Sequence, residues 1–208
     1  MLDGRFNLSE DFSKVFESWM VLIAILAAVI IGGRKAYKAI KTHFSGEEMS
    51  TIHGEIHELL TELRVVANSA RTQIVQLHNG EYFMDGVSMK KFSITHESLE
   101  RGVGSCANNM TGVLCSLFSP MFPLILDNRA RLHYTVDQRD SYFKQFFESR
   151  NIEAFSVLPL TAKNQLTGFL LIHWCNSKII DTLDQDMVFY EMAKIRNDIQ
   201  VQLSYQKR

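Results

Sequence analysis

The sequence predicts an α+β fold: one N-terminal transmembrane helix, then a domain with a central antiparallel sheet flanked by N- and C-terminal helices. Three observations predict it. Trp19 to Gly33 (WMVLIAILAAVIIGG) is an uncharged apolar run, followed by Arg34, Lys35, Lys38 and Lys41. Ala154 to Leu160 (AFSVLPL) and Leu166 to Trp174 (LTGFLLIHW) are β-rich apolar segments joined at Lys163-Asn164-Gln165, the pattern of a hairpin. Apolar residues at helical spacing precede and follow the β-rich region, as amphipathic helices require.

The apolar run comes first in the chain. As a helix it is about 22 Å long, and a bilayer core of ~30 Å needs about 20 residues. Val15, Phe16, Ala36 and Tyr37 lengthen it to a span over residues 15–37. Trp19 suits one interface, while Arg34, Lys35 and Lys38 reach headgroups at the other, so these four are the expected anchor residues. Asp3, Glu10 and Asp11 are unlike the basic start of a cleaved signal peptide. Arg5 and Lys14 precede the run and four basic residues follow it closely. That bias predicts residues 1–14 as a short extracytoplasmic segment and a cytoplasmic C-terminal domain, on an inner or plasma membrane. The lipid bilayer is the first expected partner.

Composition bounds the rest. The 208 residues carry a net charge of −1, so no nucleic-acid partner is expected. A hydrophobic content of 46% with 14 Phe is that of a folded domain. Cys106, Cys115 and Cys175 are odd in number and lack CxxC spacing, which excludes a disulfide framework and a cysteine zinc site. Free thiols fit a reducing compartment.

Residues 38–69 form a basic juxtamembrane segment and a linker helix, helical over 46–69. Met49, Ile52, Ile56, Leu59, Leu63 and Val66 recur at spacings of three and four, a coiled-coil-like seam. The seam serves either self-association, as a dimer or larger homo-oligomer, or packing on its own domain, residues 70–208. Strands are expected at 71–77 and 91–95, with a turn at His78-Asn79-Gly80. Residues 105–126 begin helical and are stopped by Pro120 and Pro123. A short strand at 131–136 and a helix at 142–148, with Tyr142, Phe143, Phe146 and Phe147 on one face, lead to the closing hairpin. Pro159 marks an edge or a bulge there, and the second strand, apolar on both faces, belongs at the centre. A final helix runs from about Asp181 to Gln202, capped by Asp181 or Thr182.

Residues 152–160 (IEAFSVLPL) and 166–174, followed by a helix, resemble the end of a GAF domain. The resemblance spans roughly residues 48–206, and PAS and profilin-like modules share much of the pattern. Gln76-Leu77-His78-Asn79-Gly80 is also similar to the opening of GAF-like proteins of phages and bacteria. Membership implies ligand sensing, protein interaction or dimerisation without catalysis, and packing of the first and last helices beneath the sheet. The cysteine motifs of bilin-binding GAF domains and the signature of cyclic-nucleotide-binding ones are missing, so no cofactor is expected. More loosely, the layout of polar N-terminus, single span and α+β domain resembles the T-even phage holin family, whose C-terminal domain is periplasmic and controls lysis timing. The basic cluster points the other way.

Three constellations remain. His78, Asn79, Tyr82, His96 and Glu97 gather around the first hairpin, as either a small-molecule or protein-ligand pocket or plain loop chemistry. His53 and His57 stand at i and i+4 on a helix, but outside the HExxH order, and no metal site is assigned. Gly102-Val103-Gly104-Ser105 suggests an anion-binding turn but lacks the lysine of a phosphate loop. No catalytic residue is identified. The functional expectation is a membrane-anchored sensory or partner-binding module coupled to self-association. The alternative is a holin-like or effector membrane-lesion protein whose globular domain controls oligomerisation of the span.

Overall fold

The computed structural model describes residues 19, 20, 26, 28–35, 50–82 and 88–205, with the side chains of 81, 82, 88 and 89 left aside. The chain divides into two compact units, Met1–Ser50 and Thr51–Arg208. In the first, residues 19, 20, 26 and 28–35 are helical and exposed, Arg34 and Lys35 among them. Among the described residues no helix is long and apolar enough to cross a membrane. Much of the expected span, residues 1–14, Lys38 and Met49 lie outside the described residues.

The second unit opens with helix α1, residues 51–66. It stops where Asn68 takes a left-handed conformation (φ 45°) and the Ser69 N–H reaches back to the Arg64 carbonyl at 3.0 Å, a Schellman-type ending. Strands β1 (Arg71–Tyr82) and β2 (Ser88–Leu99) follow, then β3 (Val113–Leu114), α2 (Phe122–Leu126), β4 (His133–Tyr134) and α3 (Tyr142–Ser149). β5 (Ala154–Ala162), β6 (Gln165–Trp174), α4 (Ser177–Asp181) and α5 (Gln185–Tyr205) close the unit. The strands form one six-stranded sheet in the order β3-β2-β1-β6-β5-β4, and every described pairing is antiparallel. β6 is central, as its two apolar faces required.

Alternation along the strands sorts side chains into two cores. Ile74, Leu158, Leu160, Leu170, Ile172 and Trp174 face α1 and α5, meeting Ile56, Leu63, Met192 and Ile195. Val75, Phe92, Phe155, Phe169 and Leu171 face the other way, beneath α3 and the short helices. The first and last helices thus share one layer under the sheet, and the Trp174 Nε1–H donates to the Ala67 carbonyl at 2.9 Å, tying the end of α1 to β6.

Several expectations change. β1 does not turn at His78-Asn79-Gly80. The ladder continues through His78↔Lys91 and Asn79↔Lys90 to Tyr82↔Ser88, and the Asn-Gly pair marks a register shift between Asn79 and Tyr82. Pro120 sits inside a 3-10 helix (Cys115–Met121), and Pro123 opens α2 in its first turn, where a missing N–H is no loss. The C-terminal helix is two helices. Asn176 caps α4 and the Asp184 carboxylate accepts from the Met187 N–H at 3.1 Å at the start of α5, so neither Asp181 nor Thr182 is the cap. The closing hairpin turns on two residues, Lys163 (φ 51°) and Asn164 (φ 60°), and Gln165 already belongs to β6. β4 covers only Ala154 and Phe155, so at Pro159 that strand is a sheet edge.

Candidate ligand pocket on the sheet

Phe92, Phe118, Phe143, Phe147, Phe155 and Phe169 come from five different elements and meet above the sheet. They pack edge to face, with centroids 5.1 Å apart for Phe92–Phe118 and 5.0 Å for Phe147–Phe155. α3 supplies two of them because Ser141 caps its first turn, accepting from the Lys144 N–H at 3.3 Å, and turns Phe143 and Phe147 inward. Within the layer a cavity of about 20 Å³ remains, walled mainly by apolar side chains but floored by Gln73 and His173.

That floor is unusual. His173 is 1% exposed, and neither ring nitrogen has a hydrogen-bond partner among the described residues. Its ring lies edge-on to Phe147 at 5.0 Å. Burial first, and the Arg71 guanidinium second, hold the imidazole well below its usual range, so it is neutral near pH 7. Gln73 donates Nε2–H to Glu97, which leaves its buried Oε1 without a partner. Buried polar atoms are nearly always satisfied, so this pair holds hydrogen-bonding capacity that no described residue uses.

The residues singled out in the sequence do not converge. Glu97 is an internal anchor: besides Gln73 it accepts from the Ser105 hydroxyl and from the Cys106 and Ala107 N–H groups at 3.0 and 3.4 Å. The turn at Gly102–Ser105 therefore leads into an anion site whose anion is this chain's own carboxylate. Arg71, 4% exposed, donates to the Gly104 carbonyl at 3.1 Å, and Arg150 donates to the Ser105 carbonyl at 3.3 Å, pinning the same loop. His78 and Asn79 are exposed in a separate cleft of about 610 Å³ beside Cys115 and Phe122. There His78 Nε2 lies 2.9 Å from the Ser93 hydroxyl, and Asn79 Oδ1 accepts from Lys90 at 3.0 Å. Tyr82 is the last residue of β1, and its side chain lies outside the described set. His96 pairs with Ile74, four residues along β1 from His78, roughly 13 Å at strand spacing.

His96 meets α1 instead. Its Nε2 lies 2.7 Å from His53 Nδ1, and its ring is half-buried. Burial, then the neighbouring His53 and His57, lower its pKa to about 4. His57 is exposed. Among the described residues no three His, Cys, Asp or Glu side chains are grouped to hold a metal. On the seam, Ile52, Ile56 and Leu63 are buried against this chain's own sheet and α5, whereas Leu59 and Val66 are partly exposed.

Gln73 and His173 were not among the residues singled out. The signal was present: His173 is the one imidazole inside an otherwise apolar run, Phe169 to Trp174.

A six-stranded antiparallel sheet with terminal helices on one face and an aromatic, partly polar layer on the other is the GAF fold. Known structures agree with it. A far-red cyanobacteriochrome photoreceptor superposes with a TM-score of 0.56 at 12% identity, over 86% of this chain and 100% of that one. The phycoerythrobilin-bound GAF domain of a cyanobacterial phytochrome gives 0.54 at 14% identity, over 80% and 91%. The phycocyanobilin-bound GAF domain of a cyanobacterial phytochrome gives 0.53 at 16%, over 74% and 85%. At these identities the likeness is one of fold. No family model and no curated relative matches the chain in sequence.

Proposed function

We propose that this chain is a membrane-anchored sensory module whose GAF-type domain binds a small, mainly apolar molecule against His173 and Gln73. The unpartnered polar floor under the aromatic layer is the observation that supports it. The bilins of the structural neighbours are a poor fit. A cavity of about 20 Å³ has room for little more than one water, and the six phenylalanines fill the remaining volume. A fragment-sized ligand bearing one hydrogen-bonding group needs only a modest opening of α3 and the neighbouring 3-10 helix. It shifts that equilibrium by no more than its preference for the open state.

The output route in this reading is α1. Its polar edge is stitched to β2 by His53–His96, by Thr61–Ser98 hydroxyls at 2.9 Å and by the Arg64 Nε–H, which donates to the Ser98 hydroxyl at 3.3 Å. The Thr72 hydroxyl on β1 donates to the Leu60 carbonyl at 2.7 Å. A change in the sheet therefore reaches the helix that follows the juxtamembrane segment. The test is ligand-observed NMR of the full chain with a panel of neutral fragment-sized alcohols and amides, with histidine ring signals recorded in parallel. At least one fragment moves the His173 ring signals and loses binding in His173→Leu. That variant keeps its fold and gains about 1 kcal/mol of stability, because it removes an unpaired buried polar group. Unmoved His173 signals across the panel would leave the aromatic layer a plain core and end this reading.

A further inference from the structure

A different chemistry sits where the loop after β2 meets the end of β6. Cys106 follows the turn at Gly102–Ser105, and Cys175 follows β6 directly. Arg150, at the end of α3, touches both. Its Nη1–H donates to the Cys106 sulfur at 3.3 Å, and its carbonyl accepts from the Cys175 thiol at 4.0 Å. Arg71 completes the cluster. Its Nη1–H donates to the Cys175 sulfur at 3.7 Å, while its Nε–H holds the Gly104 carbonyl, two residues before Cys106. The thiols are near enough for a charge on Cys106 to act on Cys175.

A cysteine beside an arginine is often an ordinary packing contact. The second feature is that no carboxylate answers either guanidinium: among the described residues neither Arg71 nor Arg150 forms an ion pair. Arg71 is 4% exposed, and a buried charge is normally paired. The ionisable groups it and Arg150 meet are the two thiols. Burial holds the Cys175 thiol above its ordinary range, and the Arg71 guanidinium draws it back. Loss of that thiol proton gives Arg71 its counter-charge. Access differs between the two sulfurs, since Cys175 is half-buried and Cys106 fully buried. A reachable thiol beside a sheltered one is the arrangement of a redox pair.

We propose that Cys175 is a site of oxidation by hydroperoxides and that Cys106 resolves the product as an intramolecular disulfide. The Cys175 thiolate attacks one peroxide oxygen, the O–O bond breaks, and the other oxygen leaves as an alcohol or water. Cys175 is then a sulfenic acid. The Cys106 sulfur attacks it, the S–S bond forms, and the sulfenic oxygen leaves as water. Two thiols lose two electrons and one hydroperoxide gains them. The bridge ties the Gly102–Cys106 loop, which anchors Glu97, to the end of β6. Cys115 stands in the separate cleft beside His78 and takes no part. The proposal needs neither the Gln73–His173 pocket nor the membrane anchor, so it can fail without them.

The experiment exposes the full chain, in zwitterionic nanodiscs, to hydrogen peroxide, then unfolds it, labels free thiols with N-ethylmaleimide and maps the peptides by mass. The oxidised chain stays monomeric by mass, takes one label in place of three, and yields a peptide joined through Cys106 and Cys175. Dithiothreitol restores all three labels. In Cys106→Ser, and equally in Cys106→Ala, Cys175 stops at a sulfenic acid that dimedone traps. In Cys175→Ser, Cys106 stays reduced at the same peroxide concentration. Cys115→Ser bridges as the parent does. Three free thiols after millimolar peroxide, a bridge that uses Cys115, or Cys175 driven to the sulfinic acid while Cys106 stays free would each overturn the proposal.

Discussion

Gly168 shows how much one residue decides. A Cβ built there lies 2.2 Å from the Val75 carbonyl oxygen and 3.2 Å from the Gln76 Cα. Both neighbours are backbone of β1, which pairs with β6 through Gln76↔Gly168, so no side-chain rotation relieves the contact. Gly168→Ala must therefore push two central strands apart. Urea denaturation should show a loss of about 1–3 kcal/mol, with signal changes centred on β1 and β6. An unchanged midpoint would mean that the strands are not so close. His173 is the opposite case, a residue whose polar atoms oppose stability where they stand. A stabilising His173→Leu that also abolishes binding is the pattern of a site kept for function at the expense of stability.

At the scale of elements, the seam between α1 and β2 carries a pH dependence. The His53–His96 contact of 2.7 Å needs one neutral imidazole as acceptor. Burial and the two neighbouring histidines lower His96 from 6.5 to about 4. Between those values the unfolded chain binds a proton at this residue and the folded chain does not. Its contribution to stability is therefore complete above about 6.5 and is lost as pH falls toward about 4. His173, held lower still by burial and Arg71, acts in the same direction. The melting temperature should fall between pH 7 and pH 5, and the fall should be smaller in His96→Gln. Hydrogen exchange should show α1 opening more readily at the lower pH. A wild-type and a variant curve of equal slope would remove His96 from this account.

For the whole molecule, the proposed membrane anchoring makes a prediction about the side on which the GAF-type domain lies. The apolar run and the basic residues after it argue for a cytoplasmic domain. A cysteine appended after Arg208 should stay protected from an impermeant thiol reagent in intact cells and react after lysis. Cys115 and Cys175 are partly exposed and are replaced by serine beforehand, whereas Cys106 is buried and contributes little background. Labelling from outside would reverse the orientation and favour the holin-like alternative. Self-association, if it accompanies sensing, must use surfaces other than Ile52, Ile56 and Leu63, which the chain's own core covers.

Local physics made much of this legible in sequence. The β5–β6 hairpin followed from two apolar runs and a turn that tolerates positive φ, and α1 and α5 followed from helical periodicity. The helix stripe was nearly right in composition but off in phase. The buried line is Ile52, Ile56, Leu60, Leu63 and Ala67, because α1 packs on the sheet and α5 at 3.6 residues per turn and not in a supercoil at 3.5. Where β1 stopped depended on its partner, since the ladder with β2 overrode the Asn-Gly signal. The candidate pocket depended on tertiary structure altogether. Gln73 and His173 lie a hundred positions apart and meet because Arg71 and His173 share a rung of β1 and β6. Sequence by itself determined the elements, whose causes lie within a few residues. Tertiary structure decided which polar groups are buried together, because that depends on strand register, and register is set by the packing of both faces at once.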